Sequence, residues 1–224
     1  MLFRSDFQTG NKMQVAATDG HSLYYSNVFN TTGDNGDEIL IPAELVKQFP
    51  KKANGNYIVT RYEKTATITG EGLNISFEIQ DCLRFPQYQC VIPEYSQAME
   101  FVTKEFINAI DVVKSATDKT TKKVKLHLNG SITAIGWDAD NNTESKHSVP
   151  YITREFPEMD IAFNHKLLTK CLKSCGKTGK MYSSGIKTRA VKFEVPSANI
   201  ILMPLMVRSE EHTSELQSRQ YLVC

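Results

Sequence analysis

The chain has 224 residues, of which 41% are hydrophobic and 23% charged, and its formal net charge is +1. This composition excludes a disordered chain and is sufficient to bury a core in one or two domains. Because the sequence has no apolar run of about 18 residues and no signal peptide pattern, we expect a cytoplasmic location. The five cysteines show neither Cys-x-x-Cys nor finger spacing, so we expect no metal, cofactor or disulfide.

The first predicted elements are two or three strands within residues 1–28, two of which flank a tight turn. Apolar, strand-like runs occupy residues 13–17 and 23–25, and Asp19-Gly20 lies between them. Glycine accepts the positive φ that a hairpin turn needs, so this pattern predicts a β-hairpin. Residues 31–37 are rich in Thr, Gly, Asn and Asp, which predicts a loop.

A unit of one helix and three strands follows, and its pattern returns 122 residues later. Residues 39–41 are predicted as a strand, and Pro42 as the first residue of a helix that carries Leu45, Val46 and Phe49 and stops near Pro50. Residues 161–168 repeat the order of residues 39–46: a strand, a cap or proline, then an apolar pair. Strands are predicted at 57–62, 65–69 and 73–79, and again at 180–183, 190–195 and 199–203.

A further helix and three strands lie between these two copies. Thr103 is predicted to cap a helix whose stripe consists of Phe106, Ile107, Ile110 and Val113. The predicted strands are 124–128, 131–137 and 146–151. One helix with about three strands is therefore used more than once.

Three motifs occur in a fixed order along the chain. They are Ala-Ala-Thr-Asp-Gly-His-Ser-Leu at 16–23, Phe-Pro-Gln-Tyr-Gln-Cys-Val-Ile-Pro at 85–93 and Ile-Leu-Met-Pro-Leu at 201–205. Together they resemble the bacterial sliding clamps, the beta subunits of DNA polymerase III, from residue 1 to about residue 207. The resemblance starts in the middle of the family's second domain, so we expect a fragment of a longer protein.

The resemblance implies an α+β fold of pseudo-symmetric domains, each built from units of a helix and antiparallel strands. The sheets would lie outside and the helices would line a ring. On this basis residues 1–95 would be part of the middle domain and residues 96–207 the C-terminal domain, joined by residues 92–97. Residues 208–224 resemble the translation of a common sequencing adapter, so we expect them to be non-native; the alternative is a polar helical tail.

The implied function is that of a non-catalytic processivity factor, which encircles duplex DNA as a homodimeric ring and tethers the replicative polymerase. Short peptides of polymerases, clamp loaders and repair proteins would dock in an apolar pocket, whose small, aliphatic and methionine surfaces suit varied apolar anchors. The resemblance places these residues in it: Thr18, Gly20, His21, Leu23, Pro86, Val91, Ile201, Met203, Pro204 and Leu205. Ser22, Gln89 and Cys90 depart from the family pattern, in which arginine is usual or frequent, so we expect a weaker polar rim.

Lysines dominate one segment of the chain, because no Asp or Glu occurs between Ile161 and Phe193. On a helix, the 4-3-4 spacing of its lysines keeps them within an arc of roughly 60°, opposite Leu168 and Leu172. A merely solvated face usually mixes charge signs, so this pattern favours contact with DNA phosphates. The predicted DNA-facing residues are Lys166, Lys170, Lys173 and Lys177, with a smaller patch at Lys47 and Lys51.

Three other patterns in the sequence have simpler explanations than a catalytic or ligand-binding site. Asp19 and His21 could act in a hydrolase or bind a metal, but no nucleophile or third ligand accompanies them, which favours a role in the turn. Gly176-Lys177-Thr178 imitates the end of a P-loop, yet Cys171 stands where the first glycine belongs, so Gly176 is better explained as a helix C′ residue. Cys171 and Cys175 are expected to be buried.

A further alternative is a protein that binds DNA but has no role in replication. A sequence-independent DNA-binding β protein without ring topology would also use lysines aimed at phosphates. This alternative remains open from the sequence.

Overall fold

The computed structural model describes residues 2–8, 12–30, 39–49, 56–70, 72–79, 85, 87–138, 141–153 and 156–206. The predicted loop at 31–37 and the tail at 208–224 lie outside these residues. The first part contains the following elements: β1 (Leu2–Gln8), β2 (Lys12–Thr18), β3 (Ser22–Ser26), β4 (Phe29–Asn30), β5 (Ile39–Ile41), α1 (Ala43–Val46), β6 (Ile58–Tyr62), β7 (Thr65–Gly70), β8 (Leu73–Glu78) and a 3-10 helix at Tyr88–Val91.

The second part contains the two longer helices. Its elements are β9 (Gln97–Val102), α2 (Thr103–Val113), a 3-10 turn at Lys114–Ala116, β10 (Lys123–Leu128), β11 (Ser131–Asp138), β12 (Thr143–Pro150), β13 (Met159–Asn164), α3 (His165–Ser174), β14 (Thr178–Ser183), β15 (Val191–Val195) and β16 (Ala198–Leu202). The predicted strands are therefore confirmed to within a few residues. Strand β9 was missed, although the alternation of buried Met99 and Phe101 with more exposed neighbours is a period-2 signal.

The described strands form three antiparallel sheets. The largest has the order β5-β1-β2-β3-β16-β15-β14-β9, with β4 added to β2, and the others are β12-β11-β10-β13 and β6-β7-β8. Strand β3 pairs with β16 in the register Leu23 to Ile201, so the largest sheet runs without a break from the first part of the chain into the second. The fold combines antiparallel sheets with a small number of helices, so the predicted α+β class is confirmed.

The predicted repeat is confirmed in the second part. The units β9-α2-β10-β11-β12 and β13-α3-β14-β15-β16 exchange their first strands, because β13 pairs with β10 and β9 pairs with β14. Helices α2 and α3 pack against each other. The buried core beneath them is mainly aliphatic with several aromatic rings, and Phe101 meets Phe106 edge to face at 5.1 Å between ring centroids.

Two predicted helix boundaries need correction, and the predicted C′ position of Gly176 is confirmed. Pro42 precedes α1 at the N-cap position instead of starting the helix, and α1 has only four residues, so it ends before Phe49. Thr103 does not cap α2, because β9 runs directly into the helix and Val102 takes the N-cap position. Gly176 does follow the C-cap residue Cys175, but Cys175 is extended and Gly176 does not have a left-handed φ.

Two kinds of feature are absent from the described residues. None of the helices there combines the length and the apolar character needed to cross a membrane. In the same residues, no three or more His, Cys, Asp or Glu side chains are grouped so that they could hold a metal ion.

Candidate functional site

The turn between β2 and β3 is built around the carboxylate of Asp19. Its Oδ1 accepts hydrogen bonds from the backbone N–H of Ser22 at 2.7 Å, the Ser22 hydroxyl at 2.9 Å and the N–H of His21 at 3.1 Å. Partial burial raises the pKa of Asp19, but the bonds from Ser22 and His21 outweigh it and the net pKa is lowered. Gly20 has φ of +84°, as the predicted turn requires. The contacts of Asp19 therefore fit a turn residue better than a general base.

The end of β16 lies against this turn. The N–H of Met203 donates to the carbonyl of His21 at 3.0 Å, and Leu23 and Ile201 are directly paired and almost fully buried. Two of the three motifs therefore meet at the junction of the first and second parts. The structure brings together these predicted pocket residues: Thr18, Gly20, His21, Leu23, Ile201 and Met203.

The third motif packs onto the same junction. Phe85 and Tyr88 are buried in one cluster with Leu23 and Ile201, and Tyr88 OH donates to Gln14 Oε1 at 2.5 Å. Sequence reasoning did not assign Tyr88 a role, although it lies within the motif at 85–93. Its buried ring and its bond to β2 support the 3-10 helix that carries Val91.

Exposed apolar side chains lie around this buried cluster. Val91 is 54% exposed and Met203 44% exposed, while Pro204 and Leu205 are half-buried. Pro86 lies outside the described residues. Met206, one residue beyond the last motif, is 78% exposed and was not predicted. Exposed methionine and valine beside buried rings are typical of a surface that binds an apolar anchor.

Helix α3 carries the predicted basic face. Asn164 caps it by accepting the Lys166 N–H at 3.0 Å, which orients the first turn. Leu168, Cys171 and Leu172 are buried. The lysines Lys166, Lys170 and Lys173 are exposed.

The prediction for Lys177 was wrong in one respect. Helix α3 ends at Ser174, so Lys177 lies in the turn before β14 and not on the helical arc. Its backbone carbonyl accepts the Thr103 N–H at 3.0 Å, which fixes the turn against the start of α2. The side chain of Lys177 is exposed and remains a predicted DNA contact.

The environment of His165 shows that the basic region extends beyond α3. Burial lowers the pKa of His165, and the nearby charges of Lys166, Lys114 and Lys122 lower it further. Lys114 follows α2 and Lys122 precedes β10, so sequence spacing along one helix could not reveal them. Lys114 is partly neutralised by Asp111 at 2.8 Å.

The structure describes only one lysine of the smaller basic patch that was predicted at Lys47 and Lys51. Lys47 is the C-cap residue of α1 and is exposed, whereas Lys51 lies outside the described residues. Glu44 in the first turn of α1 is also exposed, so the charge on this helix is mixed.

The two cysteines at the C-terminal end of α3 are neutral thiols. Burial raises the pKa of Cys171 to about 12 and that of Cys175 to about 11, so both thiols stay protonated at neutral pH. Cys171 is buried and Cys175 packs against the core. The expected burial of Cys171 is confirmed, and Cys175 is half-buried.

Comparison with solved structures defines the class of fold, which is that of the DNA sliding clamps. A sliding clamp (DNA polymerase III subunit beta) from Pseudomonas aeruginosa bound to griselimycin matches with a TM-score of 0.80 and 16% identity, over 92% of this chain and 57% of that chain. A structure of the Pseudomonas aeruginosa clamp with a ligand matches with a TM-score of 0.79 and 16% identity, and the coverage of both chains is the same. A further structure of the subunit beta from that organism matches with a TM-score of 0.79 and 15% identity, again over 92% of this chain and 57% of that chain.

These comparisons show the likeness at the level of the fold. No family model matches the sequence, and no curated protein matches it. The chain spans a little over half the length of the clamp structures that it matches. The fold is therefore established as a sliding clamp fold, as the motifs predicted.

Proposed function

We propose that this chain is part of a DNA polymerase III beta sliding clamp, a non-catalytic processivity factor that encircles duplex DNA and tethers the replicative polymerase. The observation that carries the proposal is the match of 92% of the chain to clamp structures. In the longer protein we expect a homodimeric ring in the cytoplasm. Clamp loaders and repair proteins would be further partners.

Two surfaces of the molecule support this function. The exposed face of α3 carries Lys166, Lys170 and Lys173 and no acid, which suits phosphates and gives no sequence specificity. The junction of β3 and β16 presents Met203 and Val91 beside a buried aromatic cluster, which suits an apolar peptide anchor. The two surfaces serve the two tasks of a clamp, holding DNA and holding a partner.

Duplex binding tests the first surface. Replacing Lys166, Lys170 and Lys173 by Ala should weaken binding and lower the slope of log K against log salt by about 0.9 for each phosphate contact removed. Fluorescence anisotropy over a salt series measures this slope. The matched control removes three lysines of the sheets, Lys125, Lys146 and Lys180, and should leave the slope nearly unchanged. Equal slopes in both triple variants would rule out α3 as the DNA face.

Peptide binding tests the second surface. A peptide with the clamp-binding pattern Gln-x-x-Leu-Phe should bind, and Met203→Ala should weaken it by about 1 to 3 kcal/mol because an apolar contact is lost. Isothermal titration measures the affinity, and the control is Ile58→Ala, an exposed apolar side chain on the separate sheet of β6, β7 and β8. Affinity unchanged by both Met203→Ala and Leu23→Ala would show that the peptide binds elsewhere.

Topology separates the proposal from the alternative of a DNA-binding protein without a ring. A closed clamp stays on circular DNA and slides off linear DNA through its ends, whereas an open groove binds both alike. The test requires the longer protein, loaded on a plasmid that is then cut once. Retention after cutting would support the alternative.

A further inference from the structure

A cavity of about 360 Å³ lies between α3 and the hairpin of β2 and β3. Tyr24 and Ile200 line it, whereas their neighbours Leu23 and Ile201 belong to the apolar cluster with Phe85. Because successive side chains of a strand point to opposite faces, the cavity lies on the other side of the sheet from the proposed peptide surface. It is therefore a separate site.

The floor of the cavity is apolar and its mouth is polar. Ala17, Cys171 and Ile200 are buried at the floor, where the thiol stays neutral. Tyr24, which is 37% exposed, stands at the mouth with exposed Asp19 and Lys170. The site thus combines an apolar interior, an aromatic ring and one charge of each sign.

The two charges are available to a ligand. No ion pair among the described residues involves Lys170, which belongs to the exposed face of α3. The three hydrogen bonds to Asp19 all reach Oδ1, so no described residue donates to Oδ2. Lys170 can therefore pair with an anion, while Asp19 Oδ2 can accept from a neutral donor group.

We propose that the cavity binds one unpaired nucleotide of single-stranded DNA, with the base against Tyr24 and the phosphate at Lys170. The proposal rests on the proposed function, because DNA must first reach the face of α3. The volume is near the lower end of the roughly 300–1,000 Å³ typical of ligand pockets, which suits a single nucleotide. Stacking of bases on aromatic side chains beside lysines is the usual mode of single-strand binding.

The carboxylate of Asp19 adds a base preference. Cytosine carries an N4 amino donor where thymine carries the O4 acceptor, and the two pyrimidines are otherwise closely similar in shape. Asp19 Oδ2 accepts from the amino group and repels the carbonyl. The cavity should therefore prefer cytosine to thymine.

The experiment compares oligo(dC) and oligo(dT) of equal length, labelled for fluorescence anisotropy, with the intact chain at low salt. Oligo(dC) should bind more tightly. Tyr24→Leu should weaken oligo(dC) binding by roughly five- to one-hundred-fold and leave duplex binding unchanged, since it removes the aromatic ring alone. Tyr24→Phe keeps the ring and should bind like the wild type. Tyr62→Leu, a remote exposed tyrosine on β6, is the matched control.

Asp19→Asn tests the orientation of the base. The amide can still accept the turn hydrogen bonds through Oδ1, but it places a donor where the carboxylate had an acceptor. The preference for oligo(dC) over oligo(dT) should therefore disappear or reverse. Circular dichroism would confirm that each variant is folded.

The outcomes separate this inference from the proposed function. Wild-type affinity of Tyr24→Leu for oligo(dC), or an unchanged preference in Asp19→Asn, would overturn the nucleotide site. Duplex binding that still falls in the triple lysine variant of α3 would leave the proposed function intact in that case. Duplex binding unaffected by that triple variant would count against the proposed function itself.

Discussion

A single glycine determines how closely α2 approaches the sheet beneath it. A Cβ atom added at Gly136, in β11, would stand 2.2 Å from the carbonyl oxygen of Val113 and 3.1 Å from its carbonyl carbon. Both atoms are backbone at the end of α2, so neither can move without shifting the helix. The contact explains the need for glycine at a position where its φ is ordinary.

We predict that Gly136→Ala lowers the free energy of unfolding by about 1 to 3 kcal/mol, because overpacking shifts backbone. The control is Gly176→Ala, where the nearest atom to the new Cβ is 3.7 Å away and the φ is not left-handed. That variant should be nearly neutral. Urea denaturation followed by circular dichroism measures both. A neutral Gly136→Ala would mean that α2 can slide on β11 at little cost.

Individual residues differ in how far the sequence could predict them. The Asp19-Gly20 turn was predictable because its bonds are made within four residues. The bond from Tyr88 to Gln14 joins residues 74 positions apart, so local patterns contain no trace of it. Thr103 was wrongly predicted as a cap, since the rule for caps assumes a loop before the helix and here a strand runs directly into it.

The helices and strands also differ in how far the sequence could predict them. The three-strand units were predictable from periodicity and turn residues, and only β9 was missed among the strands of the second part. The predicted basic face of α3 included one lysine too many, Lys177, because the 4-3-4 spacing of the lysines continues past the end of the helix. Gly176 was the signal that the helix stops before Lys177. Lys114 and Lys122 could not be added from the sequence, because the packing of α2 on α3 brings Lys114 near and the pairing of β10 with β13 brings Lys122 near.

A charge cluster joins β10 to β13. Asp160 accepts from Lys125 Nζ at 2.8 Å and contacts His127 Nδ1 at 2.8 Å. Partial burial raises the pKa of Asp160, but the bonds from Lys125 and His127 outweigh it and lower the net pKa. A carboxylate whose pKa is depressed in the folded state stabilises the protein above its unfolded value of about 3.9, and this stability is lost as pH falls through the folded pKa.

We predict that Asp160→Asn destabilises the protein by roughly 0.2 to 1 kcal/mol at neutral pH, the range for exposed pairs. The difference from wild type should begin to shrink as the pH falls below the unfolded pKa of about 3.9, and it should vanish below the lowered pKa of the folded state. Urea denaturation at several pH values tests this. Glu94→Gln, an exposed carboxylate in the segment before β9, is the control. A difference that persists unchanged at acid pH would point to packing instead of charge.

At the scale of the whole molecule, the two parts of the chain are joined by a pair of strands as well as by the covalent link. Five residues of β3 pair with five of β16, from Ser22 with Leu202 to Ser26 with Ala198. The cluster of Leu23, Ile201, Phe85 and Tyr88 packs across this pair. The stability of each part should therefore depend on the other.

Hydrogen exchange can measure this dependence. Leu23→Ala should cost about 2 to 5 kcal/mol and lower the protection of amides in β3, β15 and β16 together. Ile68→Ala removes an equally buried side chain from the separate sheet of β6, β7 and β8, and should leave β15 and β16 protected. Loss of protection confined to β3 in Leu23→Ala would indicate that the two parts unfold independently.

The pairing of β3 with β16 has a mechanical consequence. If these two strands were joined only by a loop, the angle between the parts would follow thermal motion, as at a hinge. A continuous ladder of paired strands instead resists this motion, because any bend must be absorbed as twist that neighbouring strands share. The angle between the two parts is then set by the strand register, Leu23 against Ile201, and a slip by one residue would turn Leu23 to the wrong face of the sheet.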